Sequence, residues 1–158
     1  MSNIWKTASK EIIKLDEIFK ILEKASKTKD HKIIIGSDSV KSSGCFMFVK
    51  AICILDSDFY DRRYFYLRKK IIDDSYKDIS KRLIKETTDS IELAFKIKNK
   101  ISDVNIEIHA DVNHNLLYKS SKYKHAITGY ISGCGFDFKI KPDAFVASGL
   151  ADLHTRKP

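Results

Sequence analysis

The period of the apolar residues changes once along this chain, near residue 75, and that change limits the folds open to it. Before it lie three runs rich in β-branched and aromatic residues: 31–40 (HKIIIGSDSV), 45–56 (CFMFVKAICILD) and 64–72 (YFYLRKKII). Such runs are strands. The segments between them, 41–44 (KSSG) and 57–63 (SDFYDRR), are short and turn-like. Connections this short join antiparallel neighbours, so the three strands form a meander. After the change, 75–101 repeats its apolar residues at three and four, which predicts a long helix. Two βα units follow. Residues 104–111 (VNIEIHAD) form a strand and 113–131 a helix stopped by SGCG. Residues 136–141 (FDFKIK) form the next strand, and Pro142-Asp143 opens a last helix over 144–154.

Upstream, Ile12, Ile13, Leu15, Ile18, Phe19 and Leu22 fall on one face of a helix over 11–26. The order helix, then βββαβαβα, predicts an α/β fold. Its core is a mixed five-stranded sheet, three antiparallel strands then βα units, with helices on both faces. A chain of 158 residues leaves room for one domain. Residues 1–30 contribute an N-terminal amphipathic helix to it, and 31–158 the rest.

Three strand ends in this scheme carry an aspartate: Asp38 in IGSDS, Asp111 in HADVN and Asp143 in KPDAF. Strand ends of α/β sheets are where ligand chemistry collects. Each acid also has a simpler reading, Asp38 as a turn residue, Asp111 and Asp143 as helix caps. Glu86 is harder to explain that way. At about 100° per residue it falls within the apolar stripe of the long helix, with Ile79, Leu83, Leu93 and Ile97. Lys85 and Glu92 fall on the opposite, solvated side. A carboxylate facing a core is costly unless it is paired or binds a metal. Four acids so arranged suit Mg²⁺ or Mn²⁺, hard cations that take oxygen ligands.

The same residues carry a family resemblance. The strand order and the acids resemble the ribonuclease H-like fold, whose acids come from the first strand, the helix after the third strand, the fourth strand and the region after the fifth. Asp38, Glu86, Asp111 and Asp143 match those places in order. IGSDS, the KET around Glu86, HADVN and IKPDAFVAS look like the YkuK-type ribonuclease H-like family, and KPDAFVAS is similar to a segment of type 2 ribonuclease H. The resemblance covers about residues 32–155. It departs at Ser39, where type 2 ribonuclease H has an acid after the first Asp, so the second acid comes from the helix as Glu86. The resemblance implies a metal-dependent nuclease acting on RNA, RNA–DNA hybrid or DNA by a two-metal mechanism. Asp38 and Asp111 would bridge the ions and Glu86 and Asp143 complete the two sites. The alternative is a catalytically inactive nucleic-acid-binding module on the same fold.

The charge is consistent with either. Lys and Arg number 29 against 21 Asp and Glu, a net +8. Lys119, Lys122 and Lys124 interleave with tyrosines in 118–125, and Arg68 lies in a second such segment, 62–70. These and Lys141 are candidate phosphate contacts, against the simpler reading of a solvated helix face and a Lys-protected edge strand. His154 is a candidate auxiliary group. Asp152 is nine residues past Asp143, on the opposite side of any regular helix, and so is an unfavoured ligand. His109 and His114 lack zinc spacing. Ser37 and Ser39 lack triad partners, and no Gly-rich phosphate loop occurs. No apolar run approaches the roughly 18 residues of a membrane span. The start has no signal-like apolar stretch, and Cys45, Cys53 and Cys134 form no CxxC pair. A cytoplasmic protein with reduced cysteines, with nucleic acid and not membrane as its partner, is expected.

Overall fold

A computed structural model describes residues 3–28, 30–55 and 63–156. The expected turn at 57–63 lies almost entirely outside them. The five expected strands are present: β3 (Lys32–Ser42), β4 (Cys45–Leu55), β5 (Arg63–Ile71), β6 (Ile106–Asn113) and β7 (Asp137–Lys141). Two short strands precede them, β1 (Trp5–Thr7) and β2 (Ile12–Ile13). The sheet therefore has seven strands, in the order β2-β1-β5-β4-β3-β6-β7. β3, β4 and β5 form the antiparallel meander, and β6 and β7 continue parallel from β3. Ser43 and Gly44, both at positive φ, make the tight β3–β4 turn.

One of the extra strands, β2, comes from residues whose helical spacing is misleading. Ile12 and Ile13 pair with Lys6 and Trp5, and α1 starts only at Leu15, ending at Ser26. The Glu17 side chain accepts a hydrogen bond from the Lys14 backbone N–H, fixing the helix start there. The long helix α2 runs Ile79–Lys100, and the Asp78 side chain accepts from the Ser80 N–H at its start. The helix expected over 113–131 is shorter: a 3₁₀ turn at Lys119–Tyr123 leads into α3 (Lys124–Gly133). The side chains of Asn113 and Asn115 accept from the N–H groups of Asn115 and Leu117, drawing the backbone away from helix.

Side chains alternate across the sheet. Ile33 and Ile35 of β3 face α1 and α2, with Leu22, Leu93 and Ile97 in the main core. Ile34 faces the other way, with Val49, Ala51 and Cys53, onto the C-terminal segment. That segment is π-helical over Val146–Ala151 and continues as α4 (Asp152–Arg156). It crosses the sheet. The His109 ring on β6 accepts from the Val146 N–H, Gly36 on β3 lies under Ala147, and His154 stacks on Tyr66 of β5.

Candidate active site

The parallel pairing of β3 and β6 runs Ile33↔Ile106 to Gly36↔His109 and stops. Asp38 and Asp111 each lie two residues beyond that last pair, on the same face of the sheet. Asp38 is neither a turn residue nor the end of its strand, because β3 continues to Ser42 paired with β4, and only the parallel ladder has ended there. A bulge in β6 sharpens the placement. Ala110 pairs Ile140 and Asn113 pairs Lys141, so Asp111 and Val112 are accommodated by an irregularity in the ladder. Bulges re-aim side chains, and this one sits at the acid.

The carboxyl groups of Asp38 and Asp111 face each other. Burial, the charge of Asp111 and then that of Asp152 push Asp38 up to about 8, and a hydrogen bond to Asp111 adds to this. Glu86 approaches from α2. It is only 6% exposed, and Ser39 Oγ donates to its Oε1 at 2.5 Å. Burial, then Asp38, then Asp111 raise Glu86 well above the usual carboxylate range, against the opposing Ser39 bond and Arg82 charge. Glu86 thus occupies the core-facing position that its place in the apolar stripe predicts. Two further polar contacts fasten α2 beside it: Ser37 Oγ to Ser90 Oγ at 2.9 Å, and buried Asp89, which also pairs with Lys85 of its own helix, to Lys50 of β4. Lys85 is therefore not the solvated residue its helical position suggests. Its ammonium lies 2.5 Å from Asp89 Oδ1.

Lys141 supplies the counter-charge. Its Nζ is 2.5 Å from Asp111 Oδ1. Burial lowers the Lys141 pKa, but the contact with Asp111 and the charges of Asp111, Asp38 and Asp152 outweigh it, and the net shift is upward. Asp111 Oδ1 is buried, and the short charged contact with Lys141 is the partner that the described residues give it. Arg82, Tyr118, Lys119 and Ser120 line the cleft that opens in front of the three acids.

Asp143, the expected fourth acid, is exposed in the turn after β7. Its N–H donates to the Ile140 carbonyl and its carbonyl accepts from the Phe145 N–H. Asp152 is the C-terminal acid whose charge reaches Asp38 and Lys141. The regular-helix phase that sets Asp152 aside does not hold, because residues 146–151 are π-helical. Gly36 makes the approach possible: a Cβ there would lie 2.6 Å from Ala147 N. Its place in IGSDS, two residues before Asp38, was the available signal.

Of the other candidates, Lys119 is on the cleft rim and Lys122 is exposed, its ammonium over the Tyr123 ring. Lys124 begins α3. Arg68 lies on β5, in register with Val49 and through it with Asp38. His154 is buried, stacked on Tyr66 at 3.6 Å with its Nε2 3.2 Å from the Tyr64 hydroxyl. His109 is structural. With Nδ1 accepting from Val146, its proton sits on Nε2 and is donated to Glu107 Oε1 at 3.0 Å. Burial lowers its pKa despite Glu107, which suits a neutral ring.

As donors, the acids offer only oxygen, which suits a hard divalent cation, and a positive group already sits against Asp111. Among the described residues, no three His, Cys, Asp or Glu are already gathered around one point as metal ligands. Glu86 is turned to Ser39 and Asp111 to Lys141 instead. No described helix is long and apolar enough to cross a membrane. A family model described as "Ribonuclease H-like" matches residues 15–156. No curated protein and no solved structure matches the chain.

Proposed function

The chain belongs to the ribonuclease H-like family, and from that premise we propose that it is a divalent-metal-dependent nuclease hydrolysing phosphodiesters in RNA, RNA–DNA hybrid or DNA. The observation that carries this reading is Asp111. Its carboxyl group is set against that of Asp38, and its buried Oδ1 is matched by one lysine, Lys141, which an incoming phosphate could draw away.

Asp38, Glu86 and Asp111 would hold Mg²⁺ or Mn²⁺. We place Asp152 fourth, ahead of Asp143, because its charge acts on Asp38 and Lys141. The ions would supply an activated water and stabilise the leaving oxygen. The chain's own groups do the rest. Ser39 orients Glu86. Lys141 and Lys119 neutralise phosphate at the mouth of the cleft, and Arg82 balances the charge on Glu86.

A second reading, a nucleic-acid-binding module without chemistry, is favoured by one observation: Lys141 already neutralises Asp111. The experiment that separates them measures cleavage of labelled RNA, hybrid and DNA with Mg²⁺ or Mn²⁺, beside calorimetric metal titration. Cleavage that Asp38→Asn abolishes supports the nuclease. Nucleic-acid binding with neither cleavage nor metal uptake supports the module.

A further inference from the structure

On the face that carries Asp38, the sheet is only partly covered. Asp38 pairs Val49, and Val49 pairs Arg68, so the three point to one side. Arg68 is two strands from Asp38, roughly 10 Å at ordinary strand spacing. Val49 is covered by the C-terminal segment, through Val146 and Ala151, and Tyr66 by His154. The next row toward the β3–β4 turn, Met47 with Lys70, is left open. Lys6 pairs Tyr66 and brings a third cation to the same side.

The result is a groove lined by Lys6, Arg68 and Lys70 over an apolar floor of Ile4, Met47 and Tyr66. No acid lines it, and none of the three cations forms an ion pair with a described residue. Arg68 Nε is buried without a hydrogen-bond partner. A donor in that state calls for an acceptor, and three unopposed cations call for a polyanion. The floor narrows the choice. Ile4 is 49% exposed. A duplex presents sugar and phosphate outward and keeps its bases stacked inside, so it gains nothing from apolar residues between the cations. An unpaired strand has base faces to bury.

We propose that this groove, on the sheet face that carries Asp38, holds an unpaired polynucleotide strand lying across β4 and β5 to β1, with phosphates on Arg68, Lys70 and Lys6 and bases against Ile4 and Met47. The inference rests on the nuclease reading and names its substrate as single-stranded.

The test is fluorescence anisotropy of labelled oligo(U) and oligo(dT), and of the matching duplexes, in EDTA across a salt series. The proteins are the wild type, Lys6→Gln, Arg68→Gln, Lys70→Gln, and Ile4→Glu with Met47→Glu, all checked for folding by thermal melting. The single strand should bind about tenfold or more tighter than the duplex. Each Gln substitution should weaken strand binding about three- to tenfold and lower the salt slope by about 0.7. The Glu pair should abolish the strand preference. Gln variants with wild-type affinity and slope overturn the groove, as does equal binding of duplex and strand. If the wild type cleaves nucleic acid while the groove variants bind and cut as it does, the groove falls and the nuclease stands. If strand binding is lost in the variants although the wild type never cleaves, the groove stands and the nuclease falls. A wild type that binds neither strand nor duplex at low salt overturns both.

Discussion

A Cβ on Gly36 would lie 2.6 Å from the backbone nitrogen of Ala147, closer than any side chain tolerates. The contact is backbone on both sides, so nothing flexible can give way. This one glycine lets the C-terminal segment settle on β3 two residues from Asp38. Gly36→Ala should therefore cost about 1–3 kcal/mol or more in urea unfolding and reduce cleavage as Asp152 is pushed off. A variant as stable as the wild type would show that the segment does not pack there.

Asp152 and Asp143 can be told apart by charge. Asp152→Asn should lower cleavage by about 10–100-fold or more and bring the Asp38 pKa down, since a neighbouring negative charge is removed. Asp143→Asn, exposed in its turn, should act far less. Rate profiles of the two variants, with carboxyl titration by NMR in EDTA, give the answer. The reverse ranking would restore Asp143 as the fourth acid.

In the metal-free protein, stability should fall as pH rises. Asp38 moves from an unfolded value near 3.8 to about 8 on folding, and Glu86 moves in the same direction. Between those pH values the folded state holds protons that the unfolded state has lost, so the slope of unfolding free energy against pH is negative. The contribution is complete below about pH 4 and gone above about pH 8. Melting in EDTA at a series of pH values should show the decline, and Asp38→Asn should flatten much of it. An undiminished slope in Asp38→Asn would remove Asp38 as its source.

Glu86→Gln tests the site without disturbing its packing. Gln can still accept the Ser39 hydrogen bond and has no charge to bury, so the metal-free protein should be as stable as the wild type or more so. Cleavage and Mn²⁺-induced stabilisation should both drop. Stabilisation by Mn²⁺ equal to that of the wild type would take Glu86 out of the metal set.

What the sequence made legible followed from periodicity. Glu86 could be found because it breaks an apolar stripe, Asp111 because it closes an alternating run, and Asp38 because it follows a β-branched one. The meander could be found because its turns are short. Other features depend on contacts between distant segments. The π-helical stretch at Val146–Ala151 has no periodic signature, so the angular reasoning that set Asp152 aside used the wrong helix. The strand at Ile12–Ile13 has residues that suit a helix equally well, and only pairing with Trp5 and Lys6 decides the matter. Arg68 reaches the Asp38 face through a register that joins three strands.

Asp89 belongs with the features that could not be seen, and it carries the last prediction. It lies on α2 one turn from Glu86 and is only 5% exposed. Its Oδ1 is 2.5 Å from Lys85 and 3.6 Å from Lys50, which reaches it from β4. Helical phase shows Lys85 but not Lys50, a partner supplied across the sheet. Burial lowers the Lys50 pKa, and Asp89 acts against that. Removing Asp89 leaves a half-buried ammonium without its counter-charge, a change that costs about 3–5 kcal/mol where the pair is fully buried. Lys50 is 24% exposed at its side chain, so Asp89→Ala should fall toward the lower end. Lys50→Met alone leaves Asp89 paired with Lys85 and should cost less. The double variant should recover part of the loss, because the Lys50 ammonium is then no longer buried without a counter-charge and only Lys85 has lost its partner. Urea unfolding of the four proteins closes this cycle. If the double variant is destabilised by the full sum of the single effects, the two residues are not coupled, and α2 is held beside the site by apolar packing and the two serine contacts alone.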